Sequence, residues 1–348
     1  MKLKKKYEVL FDGFASIVCA EVVSPNSVVV LTGEGQVFKW SLEIQKGEHL
    51  FSIKNSGLDL NAPCSIYITD AIVVVVNDFK LNGIIYNPAI PQKISLYRKD
   101  YHADISRYPI ALYKDETETP HLIYAVDWNH IQIMNLQTLQ ILTADKSLIK
   151  ENAEQHYQEF YEKFTGPRNY LPWPADFDYF FGQLLISPDG KRFLSRGWAW
   201  GSFDDFKLFE IDTFITSNRI SEQSVFGGEH MNRPVCWINN DTIATTWYPY
   251  RDDSATGMST QIYFIKIGES EPVRRFTFSN SAEVTGDFYF YPEKDVLISV
   301  SGDFGTTIID MNGTTLFKDE DFKPSSFCPD YGLFLDTKDK MIAIYEID

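Results

Sequence analysis

One six-residue pattern recurs along this chain and limits its fold more than any other feature. Phe206-x-Leu208-Phe209-x-Ile211 reads apolar, polar, apolar, apolar, polar, apolar. Ile131-x-Ile133-Met134-x-Leu136, Ile262-x-Phe264-Ile265-x-Ile267 and Ile342-x-Ile344-Tyr345-x-Ile347 repeat it. VFKWSL at 37–42 and TTIIDM at 306–311 are near copies, and GIIY at 83–86 is a poorer one. Each copy is short, rich in β-branched and aromatic residues, and bounded by turn formers, so it reads as a strand.

A second signal punctuates the repeats. Ser24-Pro25-Asn26, Ser187-Pro188-Asp189-Gly190, Asn239-Asn240-Asp241, Tyr291-Pro292-Glu293 and Cys328-Pro329-Asp330 each separate two apolar runs. Proline presets φ, while Asp and Asn cap tight turns through their own side chains. The fullest unit runs from 181 to 212, with strands expected at 183–187, 191–197 and 206–212. Units of about 40 residues holding four short strands are the mark of a β-propeller. The expected fold is all-β: a seven-bladed β-propeller of four-stranded antiparallel blades, forming one domain over residues 1–348. The irregular second unit, 64–97, leaves six or eight blades open. The last unit supplies three strands, and KYEVLF at 6–11 belongs to no other unit. Residues 7–11 are therefore expected to close the last blade from outside and remove an exposed edge.

These units resemble the WD-repeat-like and quinoprotein-like (YVTN-like) seven-bladed propellers over essentially the whole chain. The Gly-His and Trp-Asp dipeptides of true WD repeats are not at their usual places. The resemblance implies an interaction platform more often than an enzyme, and the fold by itself does not choose between them.

With 32 basic and 48 acidic residues the formal net charge is −16, which disfavours a nucleic-acid partner. The apolar run at 71–76 is too short to span a membrane, and no signal-peptide-like stretch follows the basic start. Cys19, Cys64, Cys236 and Cys328 are widely spaced, without CxxC or zinc spacing. They read as free core residues in a reducing compartment, and the expected location is cytoplasmic.

The function-bearing segments are the departures from the repeat. Residues 145–180 join the third unit to the fourth. Residues 198–205 and 248–260 lie between the second and third strands of the fourth and fifth units, and 227–233 joins those two units. In a propeller all four fall on one face, and loops on a rigid scaffold are where binding groups collect. The long insertion carries Ile149, Ala153, Tyr157, Phe160, Tyr161 and Phe164 at helical spacing, with Gly166-Pro167 ending the run. Such a helix must seat its apolar stripe on the propeller or on a partner.

The candidate ligand-binding residues are Trp173, Asp176, Asp178, Tyr179, Trp198, Trp200, Asp204, Trp247, Tyr248, Tyr250 and Arg251. Aromatic rings among directed polar groups suit a peptide, a sugar or a cationic group. The same rings could serve only to seat the insertion. No catalytic set is assigned: G-x-S-x-G is missing, and the carboxylates show no ordered calcium-loop spacing. His130 and His230 read as structural, and no cofactor or metal is expected. The leading expectation is a non-catalytic module that binds a protein or peptide through its third to fifth blades. The alternative is a carbohydrate-active protein, a sugar binder or a glycoside hydrolase or lyase, using the same loops.

Overall fold

The computed structural model describes every residue except 15, 164–173, 201–202, 229–231, 248–260 and 278–285. Seven antiparallel sheets follow one another along the chain, and the fold is a seven-bladed β-propeller. Blade one is Ile17–Ser24, Ser27–Thr32, Gln36–Ser41 and Lys46–Ser52. Blade two is Cys64–Thr69, Ile72–Asn77, Asn82–Tyr86 and Ile94–Tyr97. Blade three is Ile110–Lys114, Pro120–Asp127 and His130–Asn135. Blade four is Phe180–Ile186, Arg192–Ala199, Phe203–Glu210 and Gln223–Gly228. Blade five is Val235–Asn239, Thr242–Trp247, Gln261–Lys266 and Arg274–Thr277. Blade six is Asp287–Tyr291, Val296–Ser301, Gly305–Asp310 and Thr315–Asp319. Blade seven is Ser326–Cys328, Leu333–Lys338 and Met341–Ile347, with Leu3–Leu10 as its outer strand. The closing strand expected from the sequence is therefore present, with Leu3 opposite Ile347 and Leu10 opposite Met341.

Blade three departs from the four-stranded expectation. After its third strand, the Asn135 side chain accepts from the backbone of Gln137 and Thr138, and Leu139 takes φ +62°. The turn leads the chain back along the third strand, where the Asn135 amide donates to the Gln140 carbonyl (2.9 Å) and the Leu142 amide to the Ile133 carbonyl (2.8 Å), but the pairing goes no further. A single bridge between Met134 and Ile141 remains among the described residues.

The chain divides into two compact units: Met1–Leu96 with Asn232–Asp348, and Tyr97–Met231. In the first, blades five, six, seven, one and two pack in succession. Val9 and Phe11 join Leu335 and Ile344 of blade seven to Val28 and Val30 of blade one. Val29, Leu31, Val73 and Val75 join blades one and two. Phe264, Phe288 and Leu297 join five and six, and Ile298, Ile308 and Phe334 join six and seven. Second strands such as Ile72–Asn77 are buried throughout because both sheet faces are covered, which explains their unbroken apolar runs.

In the second unit blades three and four share one core, in which Ile123 and Ile133 meet Phe177, Phe181, Phe193 and Phe209. Two helices flank it: α1, Ala153–Lys163, and α2, Ile211–Thr216. Helix α2 replaces the end of a strand expected to reach residue 212, and it seats Ile211 and Phe214 in the core. Helix α1 lies within the expected helical run, but none of its residues is buried. Glu154 ties it to Arg219 at 2.7 Å.

Among the described residues no helix is long and apolar enough to cross a membrane. The four cysteines are free. Burial pushes the Cys64 thiol up to about 11 and raises the other three as well.

Candidate functional site

Three local devices in the second unit build one aromatic surface. The first is a buried arginine. The Arg98 guanidinium donates to the carbonyls of Ala103 (2.8 Å) and Ser106 (2.9 Å) and lies 4.7 Å from the Tyr108 ring centroid. A charged group this deep is stable only when hydrogen-bonded, so Arg98 organises the loop that follows it. That loop presents Tyr101 and holds His102 in the left-handed region, at φ +55°.

The second device is the turn between the second and third strands of blade three. Asn129 Nδ2 donates to the Phe177 carbonyl at 3.0 Å, and the Trp128 carbonyl accepts the Phe181 amide at 3.0 Å. The turn thereby grips the segment entering blade four and brings the Trp128 ring to 4.5 Å from Phe180.

The third device lies in blade four. Phe180 pairs with Trp198 across the strands, with a bulge before Gln183. Gly182 and Gly197 make this approach possible. A Cβ at Gly182 would lie 2.0 Å from the Arg196 carbonyl, and one at Gly197 would lie 2.2 Å from the Tyr179 hydroxyl. The Phe180 and Trp198 rings stack at 3.7 Å, and Trp198 Nε1 donates to Ser106 Oγ at 2.9 Å, tying blade four to the Arg98 loop.

Two rings of the resulting cluster stay open: Trp200 is 49% exposed and Tyr101 47%. Trp128 is half-buried. The centroids of Tyr101, Trp128 and Trp200 are 5.7, 6.2 and 6.5 Å apart, with planes inclined at 60° to 63°. Phe180 forms the floor, 4.8 Å from Trp200. His102 sits edge-on between them, 5.8 Å from Trp200. Trp200 Nε1 donates to Asp178 Oδ1 at 2.6 Å, which fixes the indole on its outer side.

The candidates from sequence fare differently. Asp178, Trp198 and Trp200 belong to this cluster, and Asp176 is exposed two residues before Asp178. Tyr179 is fully buried, its hydroxyl 2.8 Å from the Asp205 carbonyl and 3.0 Å from Ser195 Oγ. Burial holds its phenol far above the usual tyrosine range. Tyr179 is thus a core group rather than one open to a ligand. Asp204 is only 3% exposed and sits in the ladder opposite Trp198. The expected open corner at 198–205 is therefore mostly strand, because the hairpin extends through Ala199 and resumes at Phe203. Trp247 is half-buried in the first unit, its ring 5.6 Å from Tyr263 and parallel to it. Trp173, Tyr248, Tyr250 and Arg251 lie outside the described residues, as does His230.

Tyr101, His102, Trp128 and Phe180 were not among the sequence candidates. Trp128 carried a usable signal, since it falls between the second and third strands of its blade, as 198–205 does in blade four. Its neighbour His130 keeps Nε2 buried without a hydrogen bond among the described residues, and burial lowers its pKa. Among those residues no group of three His, Cys, Asp or Glu side chains is placed to hold a metal ion. A void between blades five and six, lined by Ile262, Phe288, Leu297 and Ile309, measures ≈ 10 Å³, room for about one water.

Compared with known proteins, the chain matches no family model, and no curated protein is found similar to it, so the reading of this surface rests on its geometry.

Proposed function

We propose that this propeller is a non-catalytic binding module of the WD-repeat-like or quinoprotein-like kind, and that it recognises a protein or peptide through Tyr101, Trp128 and Trp200. One observation carries the reading: two large rings remain about half exposed although the loops and strands beneath them are locked by buried hydrogen bonds. Exposed aromatic side chains on a rigid support are typical binding anchors, because little side-chain entropy is lost when a partner covers them. Asp176 and Asp178 add an acidic rim.

The test is a peptide-display selection on the wild-type protein and on the Tyr101→Ala, Trp200→Ala double variant, beside a glycan array on both. Peptides that enrich on the wild type and not on the variant support the reading. Glycans bound in a Trp200-dependent way, with no such peptides, would replace it with the carbohydrate alternative. Equal enrichment on both proteins would remove the surface as the binding site.

A further inference from the structure

Resting on that reading, the surface can be assigned a ligand chemistry. We propose that Trp200 and Tyr101, with the carboxylate of Asp178, take an arginine side chain from a basic segment of the partner.

The spacing of the rings sets the binding mode. Centroids 5.7 to 6.5 Å apart put Tyr101, Trp128 and Trp200 in van der Waals contact with one another, over a floor of Phe180. No group can enter between them, so a ligand must lie on their outer faces. This geometry is a shelf. A lysine ammonium is compact and strongly hydrated and gains most from being enclosed, which a shelf does not provide. A guanidinium is planar and weakly hydrated, and it stacks on a flat aromatic face within about 6 Å of the centroid.

The charge around the shelf is complementary. Asp178 is exposed and spends Oδ1 on Trp200, while Oδ2 makes no hydrogen bond among the described residues. A guanidinium lying on the Trp200 indole would have its N–H fork beside that oxygen, giving a charge-assisted hydrogen bond in the plane of the stack. Asp100 and Asp104 are exposed on the loop that carries Tyr101, and Asp176 is exposed on the segment that carries Asp178. The cations next to Tyr101 in sequence are already committed, Arg98 to backbone carbonyls and Lys99 to Asp127 at 2.7 Å. A chain of net charge −16 also draws a basic segment toward it at low salt. A neutral sugar could stack on the same faces and donate its hydroxyls to these carboxylates, but it would bring no positive charge to pair with them.

The experiment titrates the full chain with the peptide acetyl-Gly-Arg-Gly-Arg-Gly-amide by calorimetry at low salt. The comparison peptides replace Arg with Lys or with neutral, isosteric citrulline. Tighter binding of the arginine peptide than of the citrulline peptide is expected, by about tenfold, with lysine between them. Trp200→Ala and Asp178→Asn should each weaken the arginine peptide by about tenfold. Glu116→Gln removes an exposed carboxylate on the hairpin at the other end of blade three, and should leave binding unchanged. Equal binding of arginine and citrulline peptides would overturn the proposal, as would an equal loss in the Glu116 variant, which would mark diffuse charge attraction. If the display peptides depend on Trp200 yet contain no required arginine, the arginine assignment falls and the protein-binding reading stands. If no peptide of either kind depends on Trp200, both fall.

Discussion

The ring of Phe180 lies flat on the indole of Trp198, with centroids 3.7 Å apart and planes within 6°. Both rings are buried, while Trp200, two residues on, is about half exposed. Adjacent aromatic positions on one strand end thus have opposite roles. Trp198→Ala should lower stability by about 3–5 kcal/mol, through lost packing and an orphaned Ser106 hydroxyl. Trp200→Ala should cost under about 1 kcal/mol, because the ring already faces water. Chemical denaturation of both variants measures the difference. Equal losses would mean that Trp200 seats the structure rather than serving a ligand.

Arg98 is the anchor of the loop 99–107. Replacing it with Ala would leave the carbonyls of Ala103 and Ser106 without their charged donor and open a space over Tyr108. A loss of about 3 kcal/mol is expected, with new protease cleavage confined to the loop at enzyme levels that leave the wild type intact. Arg98→Lys should recover only part of the loss, since one ammonium cannot reproduce a planar fork. Uniform cleavage along the whole chain would argue that Arg98 supports the global core instead.

Glu21 gives the fold a pH dependence opposite to that of a paired carboxylate. It lies in the first strand of blade one, and burial pushes its pKa up to about 7 from an ordinary 4.5, opposed only by the Val22 amide. Below about 4.5 the carboxyl is protonated whether folded or unfolded. Between 4.5 and 7 the folded state binds more protons than the unfolded chain, so stability from this group falls as pH rises through that window. Glu21→Gln should flatten this part of the profile and, at pH 8, stabilise the protein by about 1–2 kcal/mol. Denaturation midpoints at pH 5 and pH 8 check both statements. A variant less stable than the wild type at pH 8 would show that the carboxylate has a compensating partner.

Blade seven depends on a strand from the other end of the chain. Phe11 and Val9 are buried between blades seven and one. Phe11→Ala should cost about 3–5 kcal/mol, and deleting residues 1–12 should cost more, because the whole ladder to Met341–Ile347 is lost as well. Thermal unfolding checks this, and an unchanged midpoint after deletion would show that the strand is dispensable.

The blades were legible because alternation and turn chemistry agree at each hairpin. Ser187-Pro188-Asp189-Gly190 gives the turn expected of it, with Ser187 Oγ bonded to Asp189 and Gly190 at φ +71°. The corner after it, at 198–205, differs from the open loop expected there for a physical reason. Asp204 is a carboxylate buried in the ladder, and a charged residue with a nearby glycine reads as loop. The shelf was half legible. Trp198 and Trp200 stand out by their place in the blade, and the corresponding place in blade three holds Trp128. Tyr101 was hidden in a short polar link whose order comes from one buried arginine, and polarity does not reveal that burial. The missing fourth strand of blade three was likewise invisible, since the Asx turn after Asn135 suits a hairpin equally well.

Leu3 faces Ile347, so the strand Leu3–Leu10 pairs with one that is synthesised hundreds of residues later. Until then Val9 and Phe11 have blade one on one side and no blade seven on the other. A nascent chain that has not reached Met341–Ile347 therefore carries a half-sheltered apolar strand, and blade seven forms only once that strand has been made. A pairing of such large sequence separation is slow to form, and until it forms the edges of blade seven stay open to aggregation.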